Sequence, residues 1–346
     1  MDDTTAIRRI KVRFPNISSK SWEHPADRAA LTALKKVPGL DTVLQKLVGV
    51  TTEKSLRLIT LASAVRVSDS QFPKLNRMHK DACHLLDIEQ RPELYVSQSP
   101  FLNAGAVGVE KPFIVLNSSM VDSLSEEEML CVIGHELGHC MSGHVLYKTL
   151  LQLLLRFSMA AFSVPLGGVS LLAIILALKE WDRKSELSAD RAGLLVGQDP
   201  NTYNTLLMKL AGGGKVSEMD INEFFVQAAE YERSGSMVDS VHKLLNLMGQ
   251  SHPFPVLRLT ELKTWVDSGA YNRILSGEYL ARTEDGMDDV LNNIRNAANK
   301  YREDFNTSED PLAETLRSAM EAADSVRSKA KDAFDSFFNN RKNGNN

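Results

Sequence analysis

The sequence predicts an α+β fold that is mainly helical and has a small β-sheet next to one of its helices. Three short β-rich runs, ELYVSQ, AGAVGV and PFIVLN, lie within residues 93–117 and are separated by Pro, Gly and Asn, as the strands of a small sheet usually are. Much of the remaining chain carries apolar residues at helical spacing. These two observations favour the α+β class.

The helix next to the predicted sheet covers the segment SLSEEEMLCVIGHELGHCM, residues 123–141. Ser125 and Glu128 form a capping box that predicts where this helix begins, and acidic residues fill its first turn. Apolar side chains recur at helical spacing and predict one buried face; they are Leu130, Ile133, Leu137 and Met141. The HELGH sequence therefore lies on an amphipathic helix.

The chain divides into three parts by composition. Residues 1–70 are a polar arm followed by helices, which we interpret as an N-terminal helical extension. Residues 71–280 form the central domain that contains HELGH, with an apolar helical hairpin at 145–180. Residues 281–346 are strongly charged with a thin apolar stripe, so we expect a helical C-terminal tail that packs lightly on a domain or a partner.

The bulk composition excludes some classes of protein. The chain has 346 residues, 43% of them hydrophobic, which allows one large domain or two smaller ones. The net charge of -4 gives no reason to expect a nucleic acid partner. The three cysteines, Cys83, Cys131 and Cys140, argue against a disulfide framework. The N-terminus has no signal or anchor pattern, so we expect a cytoplasmic protein.

The HELGH sequence predicts a metal site. His135 and His139 are four residues apart, so on a helix they lie one turn apart on the same face. Two imidazoles in this arrangement can bind one Zn²⁺ at about 2.0–2.1 Å. Glu136 lies beside that face, where a general base for hydrolysis belongs. The alternative is a chance match on a solvated helix, which we expect in on the order of one chain in a hundred of this composition.

A catalytic zinc needs a third protein ligand and one open position. The segment KSELSADRAG offers Glu186 and Asp190, one helical turn apart. Glu186 can take the third position, and Asp190 can accept the ring N–H of a ligating histidine, most simply His135. The alternative is a helix with ordinary surface carboxylates, because the spacing alone is a weak signal.

Two other groups of histidines are better explained by roles in folding and packing than by metal binding. His144 follows His135 by nine residues, about half a turn around the helix, and reaches the same metal only if the helix ends first. Gly143 is a candidate for that end. In HKDACH, the residues His79, Cys83 and His84 resemble ligands, but no second cluster completes them. We therefore expect helix packing there.

Three motifs in order resemble one family of peptidases. HELGH is followed by ELSAD and then by SHPFPVLRLTEL, and NAGAVG precedes FIVLNSSMVDSLSEEEM. This pattern, over roughly residues 70–265, resembles the gluzincin metallopeptidases that include the heat-shock protease HtpX and the CaaX prenyl endopeptidase. The resemblance implies a zincin-like fold and zinc-dependent endopeptidase activity on protein or peptide substrates, with one Zn²⁺ per chain. A part in protein quality control is compatible with it.

The resemblance also assigns residues. It implies that His135, His139 and Glu186 bind the metal and that Glu136 is the base. It puts His252 beside the cleft, with Arg258 nearby as a candidate substrate contact; His252 could stabilise the oxyanion, occupy the open metal position or only cap a loop.

The resemblance also makes the stretch from about Asn103 to Gly108 the candidate edge strand that pairs with substrate backbone; the alternative is a strand whose glycines only relieve packing. A chaperone-like or scaffolding protein that keeps its zinc but lacks proteolysis is the alternative function.

The chain departs from the membrane members of that family because it has no N-terminal transmembrane helices. The uncharged stretch 157–178 is long enough to span a bilayer, but a single span would put Glu186 on the opposite side from His135. We therefore expect a helical hairpin at 145–180 that either packs on the domain or contacts the membrane peripherally.

Overall fold

The structure is a computed structural model that describes residues 10–37, 39–50, 53–156, 171–233 and 254–284. Four strands within these ranges are β1 Ala64–Arg66, β2 Glu93–Ser97, β3 Ala104–Val107 and β4 Phe113–Asn117. The helices described there are α1 Pro25–Leu34, α2 Leu40–Val50, α3 Glu53–Ser63, α4 Pro73–Leu85, α5 Ser118–Ser123, α6 Glu126–Met141, α7 Val145–Arg156, α8 Leu171–Gly197, α9 Pro200–Gly212, α10 Ile221–Arg233, α11 Pro255–Asp267 and α12 Ala270–Leu275. The α+β class with a small sheet beside the HELGH helix is confirmed.

The four strands form one sheet in the order β1-β2-β4-β3. β2 and β4 are parallel, while β1 pairs with β2 and β3 pairs with β4 in antiparallel orientation. β3 is therefore an edge strand, and it packs against α6. The three predicted runs are β2, β3 and β4, whereas β1 comes from the segment that the sequence assigned to the N-terminal extension.

Helix α6 begins and ends as its sequence predicts. The Ser125 Oγ atom accepts the backbone N–H of Glu128, and the Glu128 carboxylate accepts the backbone N–H of Ser125 at 2.7 Å, so the capping box is confirmed. The helix ends at Met141, and Gly143 follows with a φ of 69°. Glycine adopts this left-handed conformation readily, so the chain turns sharply and starts α7 at Val145.

Helices α6 and α8 pack closely because glycines line their contact. A Cβ atom built on Gly134 would lie 2.6 Å from the Cβ of Val196, and one built on Gly138 would lie 2.6 Å from the Cβ of Ala192. Helix α8 is continuous from Leu171 to Gly197, so the apolar end of the predicted hairpin and the ELSAD segment belong to one helix. The close approach brings HELGH and ELSAD onto facing surfaces.

Two hydrophobic clusters support this arrangement. The first joins the sheet, α4, α6, the end of α8, α9 and α11, and it includes Phe14, Ile17 and Trp22 of the N-terminal arm. The second joins α1, α2, α7 and the start of α8 around the fully buried Trp181. Ile17 also forms a β-bridge with Ala281. The domain boundaries at residues 70 and 280 stay a prediction.

Of the predicted apolar hairpin, the structure describes the two helices, α7 and the start of α8, and not the segment that joins them. Buried leucines of α7, among them Leu150 and Leu154, pack with Ile174 and Leu178 of α8. Residues 157–170, which connect the two helices, lie outside the described residues, as do 285–346 of the predicted tail. Among the helices that the structure describes, none is long and apolar enough to cross a membrane. Membrane contact through 145–180 stays a prediction.

Candidate active site

The structure brings the three predicted ligands together at the contact of α6 and α8. The Nε2 atom of His139 lies 3.1 Å from Oε1 of Glu186, and the Nε2 atom of His135 lies 3.3 Å from Oε2 of the same carboxylate. One nitrogen or oxygen atom from each of the three residues lies within 4.8 Å of the other two. All three side chains are buried.

These distances are close to those between the ligands of one metal ion. Ligand atoms bound at about 2.0–2.1 Å with tetrahedral angles lie roughly 3.3 Å from one another, and the Nε2 atom of each histidine lies 3.1 or 3.3 Å from one oxygen of Glu186. Two imidazoles and one glutamate are also the ligand set of one class of catalytic zinc sites, in which the fourth position is open. The residues present therefore suit a divalent metal ion in both chemistry and spacing.

Glu136 lies next to this set and faces a cleft. Its side chain is 2% exposed, and its Oε2 atom has no hydrogen-bond partner among the described residues. Burial raises the pKa of Glu136, although the charge of His135 and a hydrogen bond from the backbone of Ala106 in β3 oppose the shift. A buried oxygen that accepts no hydrogen bond is energetically costly in a folded protein. We therefore expect Oε2 of Glu136 to accept a hydrogen bond from a polar group that enters the cleft.

Asp190, the predicted partner of His135, contacts that histidine and is itself held by two side chains. Its Oδ1 atom lies 3.0 Å from Nδ1 of His135 and accepts the hydroxyl of Tyr203 at 2.8 Å. Arg258 donates from Nε to Oδ2 at 2.8 Å and from Nη2 to Oδ1. Burial raises the pKa of Asp190, but the Arg258 guanidinium outweighs it and leaves the pKa at about 2. Tyr203 had no sequence signal, since its role depends on how α9 packs.

Lys148 is a further member of the site that the sequence did not indicate. Its Nζ atom donates to Glu186 at 2.6 Å and to Asp182 at 2.7 Å. Burial lowers the pKa of Lys148, but the two carboxylates outweigh it and raise the pKa above the ordinary value. The predicted ligand Glu186 therefore faces a buried cation on the side of α7.

The cleft has a volume of about 660 Å³ and borders the edge strand β3. His135, Glu136 and Tyr203 line it near the metal set, and the predicted substrate contacts Asn103 and Arg258 also line it. Arg258 is 5% exposed, and its guanidinium is engaged with Asp190. His252 lies outside the described residues.

The two other histidine clusters do not form metal sites in the described part of the chain. His144 is buried and contacts His139, but it does not belong to the metal group. In α4, His79 and Cys83 are buried while His84 is exposed. Burial raises the pKa of the Cys83 thiol to about 12. These placements agree with structural roles.

Comparisons with known proteins place the chain among peptidases. The model of Peptidase family M48 matches residues 69–266. The plastoglobule-localized metallopeptidase 48 of Arabidopsis thaliana is 34% identical over 268 residues, which cover 76% of this chain and 77% of that protein. Protease HtpX homolog 2 of Methanosarcina acetivorans is 25% identical over 170 residues, 42% of this chain and 58% of that protein. The mitochondrial metalloendopeptidase OMA1 of A. thaliana is 31% identical over 144 residues, which cover 40% of this chain and 29% of its own length.

No solved structure matches the chain. The family model nevertheless covers more than half of the sequence, including HELGH and ELSAD, and the plant relative covers most of it. The resemblance to the gluzincin family of HtpX is thereby confirmed. This chain belongs to peptidase family M48 and is a metallopeptidase that acts on peptide or protein substrates.

Proposed function

We propose that this chain is a zinc-dependent endopeptidase in which His135, His139 and Glu186 hold one zinc ion. The observation that carries the proposal is the convergence of these three side chains beside Glu136 on one wall of the cleft. Zinc, when bound there, supplies a Lewis acid that makes water a nucleophile near neutral pH.

Glu136 is the general base of the proposed reaction. Its carboxylate is not part of the metal group, and its unpartnered Oε2 is available to accept a proton from the attacking water. The same carboxylic acid can then return the proton to the leaving amine, so one side chain serves both steps. Burial of the Glu136 side chain restricts its movement and keeps the carboxylate in place.

Main-chain pairing with β3 is the proposed mode of substrate binding. β3 is an edge strand, and Ala106 at its centre already contacts Glu136 through its backbone. An extended segment added to this edge would be held by backbone hydrogen bonds, which require no chain terminus and little side-chain selectivity. This supports internal cleavage and is compatible with protein quality control. Asn103 lies just before the strand and would contact the substrate at its end.

Two residues keep roles that rest on the family resemblance. We propose that His252, outside the described residues, donates a hydrogen bond to the negative charge that forms on the carbonyl oxygen. For Arg258, the contacts with Asp190 support a positioning role in addition to the proposed substrate contact. The alternative of a zinc-containing chaperone or scaffold without proteolysis gains no support from the family match.

The cellular location is also a proposal. We propose a cytoplasmic protein in which residues 145–180 either pack on the domain or contact the membrane peripherally, since the uncharged stretch 157–178 is long and apolar.

The proposal is tested with the full chain by comparing wild type, Glu136→Gln and Glu127→Gln. Glu127 is an exposed glutamate on the same helix and serves as the matched control. We expect one zinc per chain in all three proteins by elemental analysis, and casein cleavage in wild type and Glu127→Gln alone. Mass spectrometry of the products should show internal cuts. Cleavage by Glu136→Gln, or by wild type stripped with a chelator, would contradict the mechanism.

A further inference from the structure

We propose that Asp27, on α1 of the N-terminal segment, is a positioning residue of the metal site that acts through His144 on His139. The inference rests on the proposed role of His139 as a metal ligand. It assigns a function to a residue that precedes the family match at residues 69–266.

The three side chains form a buried chain of polar contacts. Nδ1 of His139 lies 3.0 Å from Nδ1 of His144, and Nε2 of His144 lies 3.0 Å from Oδ2 of Asp27. Each of these residues is 1% exposed, so water does not compete for the contacts. The path therefore runs from the metal group on α6, across the turn at Gly143, to α1.

Asp27 is fixed by two further donors on α8. Ser188 donates its hydroxyl to Oδ2 at 2.6 Å, and Trp181 donates its indole N–H to Oδ1 at 3.1 Å. Ser188 in turn accepts the backbone N–H of His24, the residue before α1. A carboxylate surrounded by donors remains an acceptor, so Asp27 presents a lone pair to His144.

This fixes the direction of every hydrogen bond in the chain. Since Asp27 accepts, a neutral His144 carries its proton on Nε2 and leaves Nδ1 as an acceptor. Nδ1 of His139 then donates to that acceptor, and the lone pair of His139 lies on Nε2. Nε2 is the atom that faces Glu186, and a neutral imidazole binds a metal through such a lone pair.

The two histidines of HELGH are thus oriented by different carboxylates. His135 contacts Asp190 of α8 directly, whereas His139 is oriented by Asp27 of α1 through an intervening ring. Carboxylate partners of this kind raise ligand affinity, and their loss typically weakens metal binding about 10- to 100-fold. The N-terminal segment would therefore be part of the metal centre.

Asp27→Asn separates this role from simple anchoring of α1. The amide keeps the size of the side chain, and its oxygen can still accept from Trp181. Its NH2 group next to His144 would donate to Nε2, which moves the His144 proton to Nδ1. His139 would then have to accept at Nδ1 and carry its proton on Nε2, where it blocks the metal.

The experiment measures the zinc dissociation constant of the full chain by competition with a chelator, at a temperature where the metal-free protein is folded. Wild type is compared with Asp27→Asn and with Asp41→Asn, a control at an exposed aspartate of α2. We expect binding about 10- to 100-fold weaker in Asp27→Asn and unchanged binding in Asp41→Asn. Equal zinc affinity in all three proteins overturns the inference while the proposed zinc site stands.

A second measurement uses wild type alone and does not depend on the folding of a variant. Long-range ¹H–¹⁵N correlation spectra of the zinc-loaded chain should show His144 protonated on Nε2 and His139 on Nδ1. Protonation of His144 on Nδ1 overturns the inference. A wild-type chain that binds no zinc overturns the proposed function, and this inference with it.

Discussion

The Nζ atom of Lys148 lies 2.6 Å from Oε1 of Glu186, so a buried cation contacts the carboxylate of a proposed metal ligand. The same ammonium contacts Asp182 at 2.7 Å. Both carboxylates are on α8, while Lys148 is on α7. Removal of one partner from a buried ion pair leaves an uncompensated charge, which is why such changes destabilise strongly.

We therefore expect Lys148→Met to lower the free energy of unfolding of the metal-free protein by about 3–5 kcal/mol. Urea unfolding in the presence of a chelator measures this change. Lys263→Met is the control, because Lys263 and Asp267 form an exposed ion pair and such pairs contribute about 0–1 kcal/mol. Similar losses in the two variants would argue against a special role for Lys148.

The closeness of α6 and α8 gives a second prediction. Since a Cβ on Gly138 would lie 2.6 Å from that of Ala192, Gly138→Ala should push the two helices apart. Overpacking of this kind costs about 1–3 kcal/mol, and the shift should also weaken zinc binding because the ligands lie on both helices. Urea unfolding and chelator competition test the two effects.

Two further variants sharpen that test. Gly214→Ala is the control, because a Cβ at Gly214 meets no atom within 4 Å. The double variant Gly138→Ala with Ala192→Gly removes the clashing methyl group and should recover part of both losses. If the double variant is as impaired as Gly138→Ala alone, the helix contact does not explain the effect.

The part of the site that lies within one helix could be predicted from the sequence. His135 and His139 are separated by one turn, and the capping box sets where their helix begins, so their common face follows from helical geometry alone. Glu186 and Asp190 share the same spacing on α8. The structure places these four side chains next to one another.

The supporting residues could not be predicted in this way. Asp27, Lys148 and Tyr203 reach the site through packing between different helices, and no local sequence pattern marks such contacts. The continuity of α8 was a different case. No Gly or Pro interrupts the segment 171–192, so nothing in that sequence ends the helix. The residues change from apolar to polar because the start of α8 packs in a hydrophobic cluster, whereas Glu186 and Asp190 face the metal site.

The last prediction concerns His79, a buried histidine of α4 outside the active site. It is 1% exposed, and its Nε2 atom has no hydrogen-bond partner among the described residues. Burial, assisted by the charge of Arg91, lowers the pKa of His79 to about 4, against about 6.5 in an unfolded chain. Between these two values, the unfolded state therefore binds more protons than the folded state.

The protein should lose stability as the pH falls from about 6.5 to about 4, and His79 should account for up to about 3 kcal/mol of that loss. Above about pH 6.5 the histidine is neutral in both the folded and the unfolded state, so His79 causes no loss of stability there. Urea unfolding of the metal-free protein at pH 7.5 and at pH 5 measures the change. His79→Leu should show a smaller loss than wild type, whereas His84→Leu, at the exposed neighbour on α4, should follow wild type. Equal losses in all three proteins would mean that His79 does not contribute to the acid sensitivity.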